Sequence, residues 1–242
     1  MMATKKRWLD FKNTHNLPAK LVFSCIGIAL ISLGAAICNV GGVGVDPFTA
    51  MNMGAAEAIG IRFGTYQVIV NLIILAVVFI MDRFQIGIGT LVNMVAVGYL
   101  IEFFTWAYAF MPHLPEGILR SAVHLVAGTL VFTLGVSMYL KTRMGVSPID
   151  AVAPIAVKVT GAPYTRCRVI QDILVTVIAF LIGGPVGVFT IVAAFFTGPL
   201  ITTWNRYVSV PLYRRTRTLS ADELAEEDDL LVKRPRHADA RA

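Results

Sequence analysis

Gly42-Val43-Gly44-Val45-Asp46-Pro47 is the stretch on which the fold turns. Two glycines frame a hinge, an aspartate follows, and a proline opens a short apolar run to Gly60. Glycine permits positive φ and close backbone approach. Asp46 suits an N-cap and Pro47 a first helical position. The stretch therefore predicts a break in the chain and then a helix start. About a hundred residues later the pattern returns as Gly145-Val146-Ser147-Pro148, with a similar run to Gly161.

Both runs are short. Residues 47–60 and 148–160 each offer about 13 residues, roughly 20 Å of helix, against a hydrocarbon core of roughly 30 Å. Neither spans a membrane alone, and both are expected as re-entrant or interfacial half-helices. Around them lie six long apolar runs, near 20–41, 65–81, 87–110, 118–140, 166–183 and 186–206. The 242-residue chain is 56% hydrophobic and 15% charged, with mean hydropathy +0.70. A soluble domain of this length has no interior for so much apolar surface, so the runs read as transmembrane helices. The expected fold class is an all-α membrane protein with six transmembrane helices.

The chain also repeats itself. A shift of 101 residues aligns Gly27 with Gly128, Gly34 with Gly135, Gly44 with Gly145, Pro47 with Pro148, Gly60 with Gly161, and Asn71 with Asp172. A shift of 100 then aligns Gly87 with Gly187, Thr90 with Thr190 and Gly98 with Gly198. Three spans per copy is an odd number, so the copies enter the membrane from opposite faces as inverted repeats. The expected division is a basic segment at 1–19, one repeat at 20–110, another at 118–206, and a polar, disordered tail at 207–242.

Charge placement sets the orientation. Lys and Arg number 21 against 15 Asp and Glu, a net charge of +6. The basic residues cluster at the ends of apolar runs, which is a topology signal and not a nucleic-acid footprint. The loop at 141–168 carries Lys141, Arg143, Lys158, Arg166 and Arg168, whereas the loop at 42–64 has Arg62 as its one basic residue. Both termini are accordingly expected in the cytoplasm. Arg214, Arg215 and Arg217 read as contacts to anionic lipids of the bilayer. The run from Leu21 is too long for a signal-peptide core and reads as an uncleaved first helix. Cys25, Cys38 and Cys167 show no metal or redox spacing, so neither a disulfide, a metal nor a cofactor is assigned.

Gly145-Val146-x-Pro148-x-Asp150-Ala151, the turn at Gly64-Thr65 and the segment Ile86-Gly87-Ile88-Gly89-Thr90-Leu91 together resemble the YczE/YyaS/YitT family of bacterial integral membrane proteins. The resemblance covers about 20–206 and implies a bacterial inner-membrane location. It brings no functional residues with it. The first copy departs from the pattern, because its aspartate precedes the proline.

Candidate site residues follow from the breaks. Irregular backbone at membrane depth is tolerated only where protein or a water-filled cavity surrounds it, and such broken helix ends bind substrates in many transporters. The hinge residues are Gly42, Gly44, Pro47, Gly145 and Pro148. Asp46, Asn71, Asp150 and Asp172 are the candidate solute ligands. Two roles compete for the hinge aspartates: Asp46 as an N-cap, and Asp150 three residues after Ser147 at capping-box spacing. Asp172 either lines a site or pairs with Arg166 or Arg168. Glu102 and His124 are candidates for proton coupling. Against that, Glu102 would snorkel to the headgroups and His124 would be a buried, hydrogen-bonded histidine.

No catalytic constellation is present, so an enzyme is not expected. The pattern implies a small permease or secondary transporter for a small solute or ion. A non-catalytic membrane accessory protein, supporting another complex or a secretion step, uses the same features as packing devices.

Overall fold

The structure, a computed structural model, describes residues 17–110 and 115–216, with side chains as far as Tyr213. Among these residues every regular element is helical. The first half contains α1 (Leu17–Val40), α2 (Pro47–Ala58), α3 (Phe63–Asp82) and α4 (Ile88–Tyr108). The second contains α5 (Ile118–Lys141), α6 (Val152–Thr160) after a 3-10 turn at Ile149–Ala151, α7 (Tyr164–Leu181), α8 (Val188–Phe195) and α9 (Thr197–Trp204). A π-helical turn at Asn205–Ser209 leads into α10 (Val210–Thr216).

Four helices, α1, α3, α4 and α5, are long and apolar enough to cross a membrane. The six expected runs differ in the remaining two. Helix α7 has 18 residues but carries Arg166, Arg168 and Asp172. The last run, expected as one helix, is bent by 64° between α8 and the helix from Thr197, and counts as one further span only if the bent pair is joined. The bend has a local cause. Pro199 has no N–H for the carbonyl of Phe195 and its ring crowds that group, so α8 ends at Phe195. The half-helices fall where expected, at Pro47–Ala58 and from Ile149 to Thr160.

The tail begins later than the charge pattern predicts. Helix continues through residue 207 to Thr216 because Tyr213 is an anchor, 3% exposed and packed edge-on to Phe23 at 5.2 Å. The side chains of Arg214 and Arg215, and all of Arg217, lie outside the described residues, as does the segment 1–16.

Polarity is distributed for a lipid solvent. Helices α3 and α7 turn Ile73, Ile80, Leu174 and Leu181 outward, while Asn52, Gln67, Asn71, Asn93, His124 and Asp172 are buried. Water would favour the reverse, whereas in lipid intramembrane polar groups turn inward. Helix α1 packs chiefly on α5 and then α4. A Cβ on Gly27 would lie 2.9 Å from Gly135 O, and one on Gly128 would lie 3.0 Å from Gly34 O. Gly27 and Gly128 are equivalent in the repeat, as are Gly34 and Gly135. Exchanging the copies therefore maps each contact onto the other.

Candidate functional site

Both hinges are irregular backbone, and irregular backbone inside a bundle needs partners for its N–H and C=O groups. Each copy supplies them to the other. Phe189 N donates to Val43 O at 2.8 Å, and Gly89 N donates to Met144 O at 2.9 Å. Val45 N donates to Pro185 O at 3.1 Å, and Val146 N donates to Gln85 O at 3.2 Å. Thr190 Oγ1 donates to Val45 O, and Thr90 Oγ1 donates to Val146 O, each at 2.7 Å. Both threonines also accept from the start of their own helix, Gly187 N at 3.0 Å and Gly87 N at 3.1 Å. The fit depends on missing side chains. A Cβ on Gly44 (φ +86°) would sit 2.4 Å from Gly187 N, and one on Gly145 (φ +106°) 2.4 Å from Thr90 Oγ1.

These locks hold two different helix starts. Asp46 caps α2, its Oδ1 accepting from Thr49 N at 3.1 Å, with Pro47 at the first helical position. The capping box expected at Ser147 and Asp150 does not form; the second start has no side-chain cap and opens as a 3-10 turn. The physical reason is a competitor. Asp150 Oδ1 accepts from Arg168 of α7 at 2.7 Å, a charge-assisted bond stronger than a bond to a neutral backbone N–H. The Nε of Arg168 donates to Asp172 Oδ2 at 3.1 Å, one turn along α7. Asp172 thus pairs with Arg168, and Arg168 bridges it to Asp150.

Asp46, Asp150 and Asp172 lie within electrostatic range of one another. Burial pushes the half-buried Asp46 carboxyl above the usual carboxylate range; the Thr49 hydrogen bonds oppose this and the Asp150 charge adds to it. The two helix starts and the charged turn of α7 are therefore one neighbourhood. Asn71, at the position equivalent to Asp172, is 1% exposed and its Oδ1 has no partner. Gln67 and Asn71 repeat on α3 the spacing of Arg168 and Asp172 on α7, with neutral amides in place of charges.

The family described as "Family of unknown function (DUF6198)" matches residues 18–206. The chain belongs to this family. Among its relatives is "Uncharacterized membrane protein YczE" of Bacillus subtilis, 25% identical over 86% of this chain and 97% of the relative. "Uncharacterized protein YyaS" of the same organism is 25% identical over 81% and 94%. An "Uncharacterized protein" of Haemophilus influenzae is 22% identical over 72% and 78%. No solved structure matches the chain. The YczE/YyaS resemblance and the apolar helices make this DUF6198 chain a multi-pass membrane protein.

The other two candidates of this DUF6198 chain lie in separate contacts. Glu102 accepts from Arg62 Nη2 at 2.8 Å and from Gly64 N at 2.9 Å, so it pins the start of α3 from α4. His124 is 3% exposed, with Nε2 at 2.6 Å from Tyr108 Oη and Nδ1 at 2.6 Å from Arg120 O. Those contacts match its reading as a buried, hydrogen-bonded histidine. Trp204 donates from Nε1 to Thr133 Oγ1 at 3.0 Å and so ties α9 to α5.

Sequence reasoning missed Thr90 and Thr190 as the locks. Their signal was the coincidence of a threonine three residues after a repeated glycine in both copies. It offered Arg168 both as a topology charge and as a partner for Asp172, and missed its bond to Asp150, 18 residues away.

Proposed function

We propose that this DUF6198 chain is a small-solute or ion permease of the bacterial plasma membrane, with its site between the two half-helices. In this reading α7 and the joined pair α8–α9 complete six spans, and the halves are inverted repeats with both termini in the cytoplasm. Asp46, Asp150, Asp172 and Asn71 line the site, with Arg168 as an internal counter-charge. The chain is a carrier and not an enzyme in this reading, and Glu102 and His124 serve as structural pins. The observation that carries it is Arg168 of α7 bonding both Asp150, at the second broken-helix start, at 2.7 Å and Asp172 at 3.1 Å. Discontinuous helices at the interface of repeats are where many transporters hold their solutes. The partial accessibility of Asp150 and Arg168, 37% and 34% of their side chains, leaves the cluster reachable.

A second reading is a non-catalytic accessory protein, and the reciprocal threonine locks favour it, because they also suit a rigid packing device. Reconstitution separates the two. Purified protein in vesicles is offered a panel of cations, amino acids, sugars and organic anions, with and without a proton gradient. Movement of one class supports the permease. If nothing moves and a partner co-purifies stoichiometrically, the accessory reading replaces it.

A further inference from the structure

The end of α3 meets the second half-helix in a contact that the hinges do not use. Val78 of α3 shares one buried cluster with Ala151 and Ile155, which seats α6 on α3. Lys158 follows Ile155 by three residues and so falls on the same face of α6. Its Nζ donates to Asp82 Oδ2, and Gln85 Nε2 donates to the same oxygen at 3.2 Å. The Asp82 side chain is 4% exposed and that of Lys158 59%. The carboxylate is thus shut in and neutralised. The ammonium has three donors and keeps the others facing outward.

Arg83 opens the 3-10 turn Arg83–Gln85 that ends the span. It is exposed, and its guanidinium lies over the Phe84 ring at 5.7 Å, which restrains it. Among the described residues no carboxylate pairs with it. Residues 79–84 and Lys158 line a single cleft of about 500 Å³. The cleft therefore holds two cations, Arg83 and Lys158, against one buried carboxylate, Asp82.

The other wall of the cleft is apolar. Phe79, Ile80 and Met81 are exposed on the last turn of a helix long and apolar enough to cross a membrane. In a bilayer they meet acyl chains, while Arg83 and Lys158 lie where the span ends, at headgroup depth. A free anion would use the cations and leave this wall empty. A water's share of liquid volume is about 30 Å³, so the cleft has room for a phosphodiester, its glycerol and the first carbons of its chains. A zwitterionic headgroup would bring its own cation against Arg83 and Lys158, and Asp82 is too buried to receive it.

We propose that this cleft binds an anionic phospholipid, its phosphate held by Arg83 and Lys158 and its glycerol and chains against Phe79, Ile80 and Met81. The bound lipid joins α3 to the half-helix α6 and so steadies the second helix start. The site goes beyond the permease reading and stands whether or not the chain moves a solute.

The test titrates the full chain in detergent micelles with phosphatidylglycerol, phosphatidylcholine or inorganic phosphate. Bound lipid is counted by native mass spectrometry, and the melting temperature is read alongside. Phosphatidylglycerol is expected to bind saturably and raise the melting temperature; phosphatidylcholine at the same mole fraction and inorganic phosphate are expected to do neither. Arg83→Gln leaves the Asp82–Lys158 pair in place and is expected to weaken phosphatidylglycerol binding by about fivefold, the worth of one basic residue at an anionic surface. Lys158→Gln is expected to weaken it at least as much. Arg143→Gln removes the same charge from an exposed position outside the cleft and is expected to leave the affinity unchanged. Equal binding of the two lipids, or a saturable response to inorganic phosphate alone, overturns the proposal. So does unchanged binding in Arg83→Gln, or an equal loss in Arg83→Gln and Arg143→Gln, which marks diffuse surface charge. Should Lys158→Gln fail to fold because it strands Asp82, Arg83→Gln decides alone.

Discussion

Replacing Thr90 by valine keeps the shape of the side chain and removes its hydroxyl. That hydroxyl joins two backbone groups, accepting from Gly87 N at 3.1 Å and donating to Val146 O at 2.7 Å. Thr90 is 1% exposed, so no solvent takes its place. A buried backbone group left without a partner costs about 1–3 kcal/mol, and two are left. The expected loss is about 2–6 kcal/mol. For a chain of this length, about 2–4 °C accompany each kcal/mol, which gives a fall of roughly 4–24 °C. Thr190→Val is expected to cost the same, because its bonds are 3.0 and 2.7 Å and its residue is 0% exposed. Thr90→Ser is the control: it keeps both bonds and loses one methyl, worth about 0.8 kcal/mol. The assay is the temperature at which detergent-solubilised protein loses its monodisperse peak on size exclusion. If Thr90→Val melts within a degree or two of Thr90→Ser, the locks do not hold the hinges.

Three further outcomes follow from the hinges. Gly44→Ala is expected to abolish the monodisperse peak, since its Cβ would strike Gly187 N, whereas Gly42→Ala has open space and costs about 1 kcal/mol for its positive φ. Arg143 occupies the position equivalent to Gly42 at φ +52°, and Arg143→Gly is expected to stabilise by about 0.5–1 kcal/mol, read as a small rise in melting temperature. The folded-state pKa of Asp46 is raised, so its contribution is fully present below the unfolded value of about 3.9 and is lost as pH rises through the folded pKa. Asp46→Asn is therefore expected to flatten the fall in melting temperature above about pH 4; an identical pH profile in the variant would show that Asp46 is not the group responsible.

Much of this architecture was legible along the chain. Pro47 after Asp46 announced a capped helix start, and the cap is present. The two half-helices were short enough to be recognised by length alone. The break at Phe195 was also written locally, in Pro199, although an apolar run hid it. Capping at Ser147 was the local reading that failed. Its spacing was right, but Arg168, 18 residues beyond Asp150, drew that carboxylate away from the backbone. The tail boundary failed for a similar reason, because charge composition carries no sign of Tyr213 packing on Phe23.

By itself, then, the sequence determined a duplicated, helical membrane chain with two broken starts. Hydropathy, glycine, proline and repeat spacing act over a few residues or at a constant offset, and they need no partner to be read. Only the tertiary structure decided that each hinge is satisfied by the opposite copy, and that Arg168 is shared by Asp150 and Asp172. Those outcomes depend on groups about 145 and 56 residues apart for the threonine locks. A hydrogen bond or ion pair is chosen by distance in space, and chain separation does not encode that distance.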